Sequence, residues 1–93
     1  MIKTNDYLRG NELPESIIIL EKVVLEKMVY EAAFEMVRKL KKKIEEDNFG
    51  GWDDPESLPI IKIKLVEHIK KDFTPENMID VMNLAAMIRN QQI

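Results

Sequence analysis

The feature that most constrains this chain is the segment SIIILEKVVLEKMVYEAAFEMVRKLKKKIEED, Ser16 to Asp47, in which apolar residues recur at three and four. Leu20, Val23, Val24, Met28, Phe34, Val37, Leu40 and Ile44 carry that spacing, which is the period of an α-helix. Glu21, Lys22, Glu26, Lys27, Glu31, Glu35, Arg38 and Lys42 share the remaining face, and Glu35 and Lys39 fall four apart. The segment predicts one long helix, weakest at its β-branched start. Leu25, Val29, Tyr30, Ala32, Ala33 and Met36 widen the apolar band beyond what one neighbour can cover. A helix this broad belongs at the centre of a bundle or at a dimer seam.

Length sharpens that expectation. With 93 residues, 45% of them hydrophobic, the chain is a small single domain with more apolar surface than it can hide alone. A homodimer or higher even oligomer is therefore expected. Residues 1–15 read as an N-terminal extension with little periodicity, which docks on a partner or stays loose, and residues 16–93 as the helical domain.

The charge balance excludes some functions. Fourteen Lys and Arg against 17 Asp and Glu leave a formal charge of -3, which argues against general nucleic-acid binding. The absence of cysteine removes disulfides, thiol catalysis and thiolate zinc sites. Met1 to Gly10 is polar and does not read as a secretory signal, and charges interrupt the densest apolar run, so neither export nor a membrane span is expected. The reading is a soluble cytoplasmic protein.

Beyond the long helix, Asn48 to Gly51 is a stop signal, because glycine accepts the left-handed backbone that ends helices. Asp54 before Pro55 and Ser57 before Pro59 are successive helix-start signals. IIKIKLVEHIKKD opens with strand-like alternation and turns helical from Leu65, and a helix is favoured because no other segment supplies a partner strand. Thr74, Pro75 and Glu76 start a last helix with a capping hydroxyl, a proline and an acid in its first turn. Along that helix Glu76, Asp80, Asn83, Met87 and Asn90 form one stripe, either the wet face or a polar line inside a bundle.

The reactive residues are few. Lys64, Glu67, His68 and Lys71 lie within two turns of one another, and a lone His beside a Glu reads first as an exposed pair. No nucleophile triad, zinc-type His spacing or phosphate loop is present. Arg38 to Lys43, RKLKKK, reads as a solvated helix end that complements the C-terminal dipole, with phosphate binding as the alternative.

Taken in order, Phe34, Leu40 and the lysine run, GGWDDPESL, LVEHIKKD and DVMNLAAMI resemble the MazG-like superfamily of all-α nucleotide pyrophosphohydrolases, especially its short phage and prophage members. The resemblance covers about Phe34 to Ile88 and is most specific at Asp80 to Met87. It implies an all-α bundle of one long and two shorter helices, completed by dimerisation. It also implies cleavage of nucleoside triphosphates with Mg²⁺, held by a Glu-Glu-x-x-Glu motif on one helix and a Glu-x-x-Asp motif on the next.

Asp80 matches the final aspartate and Asn83 the asparagine that follows it. Asn77 stands where the second motif has glutamate, and Lys64, Leu65 and His68 stand where the first motif has its three glutamates. Glu67 and Glu76 lie close in sequence to the missing acids, yet one residue along a helix turns a side chain by roughly 100°. The resemblance thus implies Asp80, Glu76 and Glu67 as candidate Mg²⁺ ligands, and Asn83, Lys64, Trp52 and His68 as candidate nucleotide contacts. So degenerate a cage implies an inactive or repurposed relative, with Lys64 or Lys71 taking over the charge that Mg²⁺ would supply to Asp80. The competing expectation is a non-catalytic helical scaffold that self-assembles. In either case GGWDD reads as a turn with Trp52 sealing one end of the bundle.

Overall fold

The computed structural model describes residues 13–92, and among these it is all helical, with no strand. α1 spans Glu15–Asp47, a 3₁₀ turn spans Pro55–Ser57, α2 spans Leu58–Lys71 and α3 spans Pro75–Gln91. The alternating Ile61, Ile63 and Leu65 lie inside α2. The proposed extension, residues 1–15, falls almost wholly outside the described residues. By internal contacts the chain divides into two compact units, Met1–Glu31 and Ala32–Ile93.

In the first unit the described residues are essentially the N-terminal part of α1. None of its side chains is buried, and Ile18, Val23, Met28 and Tyr30 are among those left exposed. Local polar contacts brace it: Tyr30 Oη donates to Glu26 Oε1 at 3.1 Å, and Lys27 pairs with Glu31 at 3.7 Å. At such exposure the Lys27–Glu31 ion pair stabilises the helix by only a few tenths of a kcal/mol. The apolar band is thus present, and none of its side chains is buried among the described residues.

The second unit is built on α2 packed against α3, and the rest of α1 is tied to α3 by the Lys39–Asp80 ion pair and by Asn83 Nδ2 donating to Met36 O. Among the described residues its buried apolar side chains are Ile61 of α2 and Met87 of α3, each 6% exposed. α1 is ended by Asn48, whose φ of 51° is left-handed, while the Phe49 N–H reaches back to Lys43 O at 3.3 Å. Asparagine tolerates that conformation, so the stop comes at the first residue of the Asn48–Gly51 signal, two positions before Gly50. Gly51, at φ 75°, makes the following turn.

Both start signals act, in different ways. Asp54 Oδ1 accepts the Glu56 N–H at 3.0 Å and caps the 3₁₀ turn. Ser57 stands at the cap of α2, but its hydroxyl donates to Gly51 O at 2.6 Å and so ties the glycine turn to the helix instead. Thr74 caps α3 as expected, with Oγ1 accepting the Asn77 N–H at 3.3 Å. Gln91 Nε2 closes the far end by donating to Trp52 O at 2.7 Å.

Candidate functional site

The polar stripe of α3 turns inward. Asn77 and Asn83 are buried at 8% and 4% exposure, and Asp80 between them keeps 17% of its side chain in contact with solvent. Only the ends of the stripe, Glu76 and Asn90, are exposed. Buried polar groups cost stability unless they are partnered.

Asn77 ties α3 to the end of α2. Its Nδ2 donates to the carbonyls of His68 and Asp72, both at 2.7 Å, and its Oδ1 lies 2.9 Å from His68 Nδ1. With both amide hydrogens spent on carbonyls, Oδ1 is the acceptor, and the His68 Nδ1 must carry the proton. The carbonyls it meets are among those that a helix C-terminus leaves without intrahelical partners. Asn77, at the position where the family motif has glutamate, is therefore a cap for α2.

Asp80 meets cations from α1. Lys39 Nζ lies 2.7 Å from Asp80 Oδ1, and Lys43 Nζ lies 4.0 Å from the same oxygen. Lys39 is itself only 24% exposed in its side chain, and its ammonium is 3.5 Å from the Glu76 carbonyl. The charge opposite Asp80 thus comes from α1 and not from Lys64 or Lys71 of α2. Lys39 and Lys43 are four apart, so one face of α1 delivers both. This is the pair of residues that sequence reasoning missed, having read the lysine run as a solvated helix end.

Asn83 donates from Nδ2 to the Met36 carbonyl at 3.3 Å, while its Oδ1 has no hydrogen-bond partner among the described residues. It borders a cleft of about 180 Å³ that also takes in Lys43, Lys64, Glu67, His68 and Asp80. Five of the seven residues proposed from the sequence, Lys64, Glu67, His68, Asp80 and Asn83, therefore share one cleft. Glu76 lies apart, in a recess of about 470 Å³ with Arg38, Lys39 and Lys42. In that recess Arg38 donates to Glu35 at 2.6 Å, and this hydrogen bond raises the guanidinium above its ordinary pKa. Trp52 does not line the Asp80 cleft but shares an apolar recess of about 360 Å³ with Leu40, Ile44, Phe49, Asn83 and Met87, and a smaller one of about 120 Å³ with Lys64.

Comparison with family models, with curated proteins and with solved structures finds no match to this chain.

Mg²⁺ requires several oxygen ligands, with carboxylates left free to supply negative charge. The only half-buried carboxylate in the cleft is already neutralised by an ammonium at 2.7 Å, with a second ammonium behind it. Glu67 is exposed, Glu76 belongs to the other recess, and Asn77 uses its side chain as a cap. A divalent cation brought to Asp80 would have to displace Lys39 and face Lys43. The residues present do not fit the metal that the resemblance implies. No helix among the described residues is long and apolar enough to cross a membrane.

Proposed function

We propose that this chain is a MazG-like pyrophosphohydrolase relative repurposed away from catalysis, in which lysine takes the place of the catalytic metal. The observation that carries this reading is the Lys39–Asp80 ion pair at 2.7 Å, on the one acid that matches the family's metal motif. An ammonium in that position supplies positive charge but has no open coordination site, so it neither polarises a phosphoryl group nor lowers the pKa of a water as a metal does. What remains is a vestigial nucleotide cleft with Lys43, Lys64, His68 and Asn83 at its rim and floor.

The test is thermal and enzymatic. A cation that bound the native state at ten times its Kd would add about 1.4 kcal/mol of stability, a rise of several degrees in Tm for a chain of this size. Millimolar Mg²⁺ is expected to move Tm by less than about a degree, and pyrophosphate release from standard and modified triphosphates is expected to stay at background. Calorimetric Mg²⁺ binding that Asp80→Ala abolishes, together with nucleotide turnover, would overturn the reading.

A second reading, a helical scaffold that assembles with copies of itself, is favoured by a separate observation. α1 buries no side chain, although it carries Ile19, Val23, Met28, Val29 and Tyr30 on its surface. Apolar surface on that scale marks an interaction face. Sedimentation is expected to give a dimer or a higher even state, and a folded monomer at micromolar concentration would remove the argument.

A further inference from the structure

The part of α1 within Glu15–Glu31 carries a pattern finer than its overall apolarity. Ile19, Val23, Glu26 and Tyr30 follow one another at four, three and four, the spacing of the seam positions in a coiled coil. Ile19, Val23 and Tyr30 are 58%, 58% and 65% exposed, the three most exposed large apolar side chains in this part of the helix. The one polar member, Glu26, accepts the hydrogen bond from Tyr30 Oη, one turn further along the same seam. A carboxylate held in this way lies against an apolar neighbour at a lower cost than a free one.

We infer that this seam is covered by a second copy of the chain, with the two Glu15–Glu31 segments antiparallel, so that Ile19 meets the partner's Tyr30 and Val23 meets the partner's Glu26. The inference rests on the self-assembly reading above and adds its surface and direction.

Charge decides the direction. In a parallel pair each Glu26 would face its own equivalent inside the seam, and Lys22 would flank the partner's Lys27 on both sides, two sets of like charges in contact. The antiparallel pair separates them. It sets Glu26 on Val23, Lys22 beside Val29 and Lys27 beside Leu20, where lysine stems cover apolar side chains and their ammonium groups stay in water.

Area supports a copy as the occupant. Nine large apolar side chains between Ile18 and Tyr30 are exposed, by about half on average. At the usual area for such side chains they leave on the order of 500 Å² of apolar surface. A single pair covers those on the seam and its flanks, Ile19, Leu20, Val23, Val29 and Tyr30, and the full area, close to the apolar share of the roughly 800 Å² that each partner buries in a standard interface, is covered when two pairs assemble. One pair leaves Ile18, Val24, Leu25 and Met28 uncovered away from the seam, and two pairs set back to back would enclose them. A dimer and a tetramer both contain the proposed seam.

Because the chain has no cysteine, introduced thiols report cleanly. Ile19→Cys and Tyr30→Cys variants, refolded together and mildly oxidised, are expected to form a disulfide-linked dimer, while each variant alone forms none. In the antiparallel pair two copies of position 19 lie about 16 Å apart along the axis, too far for a disulfide. Cross-linking of either variant with itself would mean a parallel pair and would overturn the inference. An even oligomer by sedimentation without a cross-link in the mixture would overturn the seam and leave self-assembly standing. A monomer at tens of micromolar would overturn both.

Discussion

Replacing Asn77 by alanine removes a side chain that ties the end of α2 to the first turn of α3. Three hydrogen bonds are lost, two from Nδ2 at 2.7 Å and one to Oδ1 at 2.9 Å, at a position only 8% exposed. Each such bond contributes about 1 kcal/mol net, and partners left without access to water cost more. The two carbonyls sit at a helix end, where water can replace part of what is lost, so the expected destabilisation is about 2–4 kcal/mol. For a chain of this length that is a fall in Tm of about 10–25 °C.

The companion variant Asn77→Asp keeps the size and the acceptor but discards both donors, and turns a carboxylate toward two carbonyls. At neutral pH it should be at least as destabilising as alanine. Its deficit should shrink on acidification. The anion is disfavoured in the fold, so the carboxyl's folded pKa lies above its unfolded value of about 4, and the penalty appears only as pH rises through that range. Chemical denaturation gives the free energies, and imidazole ¹⁵N shifts report whether the His68 proton sits on Nδ1. An alanine variant within about 0.5 kcal/mol of the parent, or an aspartate variant as stable as the parent at pH 7, would refute the assignment of Asn77 as a donor-based cap.

Two further outcomes follow from the same geometry. Lys39→Ala leaves Asp80, 83% shielded, with only the more distant Lys43, and should cost about 2 kcal/mol, with most of that loss absent when Asp80→Asn is already present in a double-mutant cycle; additive losses would mean the pair is not coupled. Gly51→Ala meets no atom within 4 Å, so its cost should be the backbone penalty of a left-handed alanine alone, about 1 kcal/mol in denaturation, and a loss several times larger would show that the turn has no room for a Cβ.

Much of the fold was legible because it is local. The period of α1, the cap at Thr74 and the stop near Asn48 depend on residues within a turn or two of one another, and α2 is helical through Ile61 to Leu65 as the lack of a partner strand required. The candidate cleft was legible in part. The helical spacing of Lys64, Glu67 and His68 on one segment and of Asp80 and Asn83 on another made their convergence foreseeable once the two helices pack.

What the sequence could not decide is which partner each polar group takes. Asp80 and Lys39 are 41 positions apart, and nothing local distinguishes Lys39 from Arg38, Lys41 or Lys42 in the same run. Only the packing of α1 against α3 selects the lysines at 39 and 43 and leaves the others elsewhere. The stripe on α3 was equally open, since polar residues at helical spacing describe a wet face as well as an inner line. Tertiary structure turned the middle of the stripe inward, where Asp80 meets Lys39 and Asn83 bonds the Met36 carbonyl, and left its ends, Glu76 and Asn90, exposed.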